Sequence, residues 1–157
     1  MFKNQIIKAT QIFMAALTLQ TMIACSKDQN QFVPYVQVSQ YININLYNHL
    51  TIPGNSITFT QIGYAGIIVM CVNPSQYYAF DACCPYETLP TCSVGLDPIK
   101  SLSSVDMIFS SSVWGKCKCC GSEYSLFGGG YATKGPSSHV LQQYQVSLIG
   151  GMLWIHN

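Results

Sequence analysis

Two short cysteine-bearing turns constrain this chain more than any other feature. The first is Cys83-Cys84-Pro85-Tyr86-Glu87 and the second is Cys117-Lys118-Cys119-Cys120-Gly121-Ser122-Glu123-Tyr124. Cys117 and Cys120 are separated by two residues, and Gly follows at once. This is a metal-knuckle pattern, in which the turn aims backbone N–H groups at sulfur and the Gly lets the chain reverse. Thirty-three positions separate Cys84 from Cys117. That spacing suits two loops of a β-domain that face each other across a shared site.

The surrounding sequence is that of an all-β chain. Tyr41–Leu46 alternates, which places Ile42, Ile44 and Leu46 on one face of a half-buried strand. Pro53-Gly54-Asn55 marks a turn, and Ser56–Gln61 alternates again through Ile57 and Phe59. Gly66–Val72 is a continuous apolar run, the signature of a central strand covered on both faces. Tyr77–Phe80 is another short strand. Leu141–Leu148 and Met152–Ile155 flank Gly150-Gly151, a two-residue hairpin connection. Short strands separated by Gly and Pro turns predict a small antiparallel sandwich or barrel carrying the two Cys loops.

The N-terminus has a different character. Lys3 and Lys8 precede the apolar run Ile12–Leu19, which is too short to span a bilayer and reads as part of a signal peptide covering residues 1–24. Met22-Ile23-Ala24-Cys25 resembles a bacterial lipobox, so Cys25 is the expected lipidation site. Residues 25–34 form a tether and residues 35–157 the domain. The expected location is the cell envelope, with the membrane as a partner through the lipid. Beyond residue 24, five lysines face six acids and no arginine occurs anywhere in the chain. Only 8% of residues are charged, which argues against a nucleic-acid partner. No nucleophile–base pair or carboxylate dyad stands out, so the sequence advertises no enzyme.

The two Cys turns resemble the boxes of the Rieske iron–sulfur domain family. In that family the second box reads Cys-Pro-Cys-His-Gly-Ser-x-Tyr, and the first reads Cys-Pro-His after an Ala-containing strand. Here Lys118 replaces Pro, Cys120 replaces one ligand His, and Tyr86 replaces the other. The likeness extends over about residues 35–157, through Gly135-Pro136 and the final strands, and looks like a lipoprotein branch of Bacteroidetes type. It implies a Rieske-like β-fold, with Cys84, Tyr86, Cys117 and Cys120 at the ligand positions of a [2Fe–2S] cluster. Ser122 and Tyr124 stand where the family places donors to the cluster sulfurs.

Cys71 reads as a free thiol in the core. Six cysteines then remain near the loops, and three accounts of them stay open. They form three disulfides, with Cys84–Cys117 the simplest inter-loop pair. Alternatively, they supply cluster ligands and one disulfide, in which Cys119 occupies the family's bridging position and Cys92 or Cys83 substitutes for its usual partner. In the third account Cys84, Cys117 and Cys120, with Cys83 or Cys92, hold one Zn or Fe ion. His139, alone in its loop, reads as a surface residue. With both ligand histidines replaced, the leading reading is a non-catalytic envelope scaffold or binding module without a cofactor. A redox or electron-transfer module with an envelope partner is the alternative. Thiol–disulfide exchange through Cys117–Cys120 is disfavoured, because no helix follows the motif.

Overall fold

In the computed structural model the described residues are 32–98 and 106–157. All of them belong to one compact unit, Gln31–Asn157. The signal peptide, Cys25 and most of the tether therefore lie outside the described residues.

The fold is all-β and antiparallel, as the alternation and turn signals predict. Eleven strands are present among the described residues: β1 (Ser39–Asn43), β2 (Ser56–Phe59), β3 (Ile67–Asn73), β4 (Gln76–Asp81), β5 (Val94–Gly95), β6 (Met107–Ser110), β7 (Trp114–Cys117), β8 (Glu123–Ser125), β9 (Tyr131–Lys134), β10 (Gln143–Ile149) and β11 (Met152–His156). Seven form a curled sheet in the order β1-β11-β10-β4-β3-β2-β6, and four form a smaller sheet in the order β5-β7-β8-β9. Among the described residues no helix is long and apolar enough to cross a membrane.

The apolar run of β3 explains the layering. Side chains alternate across a strand, so Ile67, Val69 and Cys71 enter one core while Ile68 and Met70 enter another. The first core fills the hollow of the curled sheet with Ile42, Leu50, Ile57, Leu153 and Ile155. The second lies toward the small sheet and contains Phe80, Val94, Tyr124, Leu126 and Leu141, together with Cys84 and Cys117. The cysteine loops thus root in a close-packed layer. Cys71 is the buried free thiol expected. The terminal hairpin is also as expected, with Ile149 paired to Met152 across Gly150-Gly151.

Two expectations fail locally. β1 ends at Asn43 rather than Leu46. The Asn43 side chain accepts the N–H of Asn45 and starts a 3-10 turn over Ile44–Leu46, which leaves Leu46 75% exposed. Local side-chain bonding of this kind competes with strand extension. The half-buried strand over Ser56–Gln61 is instead β2, which stops at Phe59 and has all four residues buried. It lies between β3 and β6, so neither edge is free.

Candidate metal centre

The first Cys loop leaves β4 and is closed at its base by a bridge between Cys83 and Ser93. Cys84 N–H donates to the Cys92 carbonyl at 3.3 Å, and Val94 N–H to Ala82 at 2.6 Å. The second loop connects β7 to β8 as a tight turn. Gly121 N–H donates to the Cys117 carbonyl at 3.0 Å, and Cys117 N–H to that of Ser122 at 2.8 Å. Gly121 has φ +73°, a left-handed conformation that the knuckle requires and Gly adopts freely. Lys118 N–H donates to the Ser93 carbonyl at 3.3 Å, which joins the two loops backbone to backbone. A Cys92–Cys119 disulfide, with Cα atoms 5.4 Å apart, joins them covalently.

Between the loops, Cys84, Cys117 and Cys120 bring their sulfurs within 4.8 Å of one another. All three are free thiols; Cys84 and Cys117 are buried and Cys120 is partly exposed. The Cys84–Cys120 sulfur separation is 3.7 Å. A tetrahedral ion with metal–sulfur bonds of about 2.3 Å has sulfur–sulfur edges of about 3.8 Å. The trio therefore needs only small adjustments to ligate one ion.

The local electrostatics differ at each sulfur. Burial raises the Cys117 thiol to about 11, although the backbone N–H groups of Cys120 and Cys119 point at it and pull the other way. At Cys120 burial also raises the pKa. Hydrogen bonding from the Ser122 side chain and backbone, and from the Cys117 and Cys84 thiols, outweighs it, so the net shift is downward. Ser122 Oγ accepts the Cys120 thiol at 3.1 Å and the Ser137 N–H at 3.1 Å. When Cys120 loses its proton, the Ser122 hydroxyl can donate to the thiolate, which is how it lowers the Cys120 pKa. Tyr124 places its hydroxyl 3.3 Å from Cys84 Sγ. Burial first, and then the Cys84 hydrogen bond, raise its pKa, so it stays protonated and has a proton to donate to the sulfur. Ser122 and Tyr124 are thus the hydroxyl side chains in contact with Cys120 and Cys84.

The remaining candidates are exposed, bonded or stacked on other groups. Tyr86, expected as the fourth cluster ligand, is 53% exposed; the phenol at the sulfurs is Tyr124. Cys92 is consumed by the disulfide and is no metal ligand. Cys83 Sγ faces the carbonyls of Cys84 and Leu89, each at 3.7 Å. The Cys84–Cys117 disulfide of the first account is not formed; among the described residues the disulfide is Cys92–Cys119, one of the two pairings that the second account allowed. His139 stacks on Phe32 with ring centroids 3.8 Å apart. A two-iron cluster needs four terminal protein ligands, and among the His, Cys, Asp and Glu side chains of the described residues three come together. The three sulfurs suit a single soft ion.

Sequence reasoning assigned no role to Asp81. Its carboxylate is fully buried at the end of β4. One oxygen accepts the N–H groups of Cys83 at 2.8 Å and Ala65 at 3.2 Å. The other accepts the Tyr64 N–H at 2.7 Å and the Tyr144 hydroxyl at 2.8 Å. Asp81 thereby fixes the backbone at which the first Cys loop begins. A lone acid between Phe80 and Ala82 was the available signal, since an acid at a buried strand position must be fully hydrogen-bonded. Gly135 was likewise passed over as part of a Pro loop. It has φ +94°, and a Cβ there would lie 2.6 Å from Ser122 Cα and 2.8 Å from Ser122 Oγ. Only Gly lets this segment press on the residue that serves Cys120.

No protein-family model matches the sequence, and no curated protein does.

Proposed function

We propose that the protein is a lipid-anchored envelope module that holds one soft metal ion on Cys84, Cys117 and Cys120. One observation carries this reading: three unpaired thiols converge beside a disulfide that already links the same loops. A signal peptide and a lipobox at Cys25 direct such a domain to an oxidising compartment. Thiols 3.7 Å apart would readily oxidise there, and a bound ion protects them. Zn²⁺ or iron suits the all-sulfur donor set. The residues around the thiols orient and tune them: the loop backbones hold Cys117, Ser122 serves Cys120, and Tyr124 serves Cys84.

The test is metal analysis and an absorption spectrum of protein purified anaerobically. About one equivalent of zinc in a colourless sample, or of iron with thiolate charge-transfer bands, supports the reading. Metal-free protein that binds neither Zn²⁺ nor Co²⁺ refutes it. In the same preparation, Cys25→Ser should move the protein from the membrane fraction to the soluble fraction; continued membrane attachment of that variant defeats the anchoring half of the proposal.

A cofactor-free scaffold is the second reading. The exposure of Tyr86 favours it, because a position that is a ligand in the family has been released to solvent. Under that reading the disulfide, the Lys118–Ser93 backbone bond and the packing of Tyr124 keep the two loops together.

A further inference from the structure

We infer that the ion held by Cys84, Cys117 and Cys120 keeps its fourth coordination position for a thiol supplied from outside the domain. The inference rests on the metal-site reading and adds to it the nature of the missing ligand.

Four nearby donors are already engaged. The Tyr124 hydroxyl serves Cys84 Sγ. Ser122 Oγ is engaged by the Ser137 N–H and by Cys120. Cys83 Sγ faces two carbonyls, and Cys92 is bonded to Cys119. Among the described residues, the group of His, Cys, Asp and Glu side chains close enough to share an ion is the cysteine trio alone. Structural zinc sites are closed by four protein ligands, whereas sites with three leave a position for an exogenous donor.

The trio is also asymmetric. Cys84 and Cys117 are on the buried side, while Cys120 reaches the surface. The knuckle borders an open cleft of about 490 Å³, whose walls include Leu96, Asp97, Lys118, Cys120 and Gly121. That volume admits a cysteine-sized molecule or the side chain of a partner protein. A soft ion already bound by three thiolates prefers sulfur for its fourth bond. The incoming thiol forms the metal–sulfur bond and gives up its proton to solvent, with no change in oxidation state.

The test uses the full chain, solubilised in detergent and loaded with Co²⁺ under anaerobic conditions, with N-acetylcysteine as the probe. The probe should change the visible cobalt bands saturably, and the thiolate charge-transfer absorption should rise by about one third, in proportion to the number of cobalt–sulfur bonds. Intact mass after titration must show the Cys92–Cys119 bond unreduced. Cys83→Ala should leave the starting spectrum unchanged, which separates an open position from one filled by the neighbouring thiol. A cobalt spectrum indifferent to the probe, or altered by Cys83→Ala, overturns the inference while leaving the metal site standing. Failure to bind cobalt removes both.

Discussion

Asp81→Asn isolates what the buried carboxylate contributes to the site. The substitution keeps the side chain's shape and removes half of its acceptor capacity. In the native protein four donors converge on two oxygens, three of them backbone N–H groups at 2.7, 2.8 and 3.2 Å. An Asn oxygen can serve one pair. The amide nitrogen then faces the other pair, donor against donor. If it replaces the oxygen facing Tyr64 and Tyr144, the Tyr144 hydroxyl can turn to accept but the Tyr64 N–H is orphaned. If it replaces the other oxygen, the N–H groups of Cys83 and Ala65 are both orphaned. One orphaned buried N–H costs about 1–3 kcal/mol, and loss of charge assistance on the remaining bonds costs about 1 kcal/mol more. The expected loss is therefore about 2–4 kcal/mol. With a urea slope of about 2 kcal/mol per M, the unfolding midpoint should fall by about 1–2 M. Because the Cys83 N–H is among the anchored groups, affinity for Co²⁺ should fall as well. Tyr144→Phe is the control, since it removes one bond and leaves the three backbone contacts in place. A midpoint for Asp81→Asn within about 0.25 M of wild type would refute the argument, because a mutation with no named structural mechanism shifts stability by about 0.5 kcal/mol or less.

Three further outcomes follow from the same geometry. Cys92→Ala/Cys119→Ala removes a cross-link spanning 27 residues, which should cost about 3–4 kcal/mol in urea unfolding; a loss below about 1 kcal/mol would mean that the loops are held together without it. In metal-free protein, iodoacetamide at pH 7.5 should label Cys120 first. Burial, with the Asp81 charge behind it, raises Cys83 to about 12, and burial raises Cys117 to about 11, so both stay protonated until the protein unfolds. Labelling of Cys120 should slow only as pH falls through its lowered pKa, and peptide mapping that finds Cys83 labelled as fast would contradict this. Tyr124→Phe deletes the donor to Cys84 and should weaken Zn²⁺ binding by about 10–100-fold in a chelator competition, while affinity equal to wild type would show that the hydroxyl does not act on the ion.

The parts of the fold legible in the sequence are those whose burial writes a plain pattern. β3 is apolar along its length because it is covered on both faces, and the β10–β11 hairpin is announced by Gly150-Gly151. The small sheet is different. Its strands contain two to four residues each, which is too few for alternation to emerge. They are held by register with neighbours distant in sequence, such as Val94 with Cys117 and Glu123 with Lys134. Tyr41–Leu46 shows the opposite hazard, in which a convincing alternation runs past the point where an Asn side chain ends the strand.

The site was legible in position but not in pairing, and the two adjacent-cysteine pairs explain why. Spacing brings loops together, whereas the direction of each Cβ decides which sulfurs meet. Neighbouring residues in extended chain point to opposite sides, so Cys83 and Cys84 part company: Cys84 enters the trio and Cys83 turns to the Leu89 carbonyl. In the knuckle, Cys119 is exposed and reaches out to Cys92, while Cys120 turns inward to Ser122 and Cys84. Each pair thus sends one member toward the site and one away. The outward member of the second pair closes the disulfide, leaving its inward neighbour unpaired beside two other thiols. A Cys84–Cys117 bond would have removed two of the three converging sulfurs. The Cys92–Cys119 bond joins the same two loops and removes none, so the cross-link builds the site without consuming it.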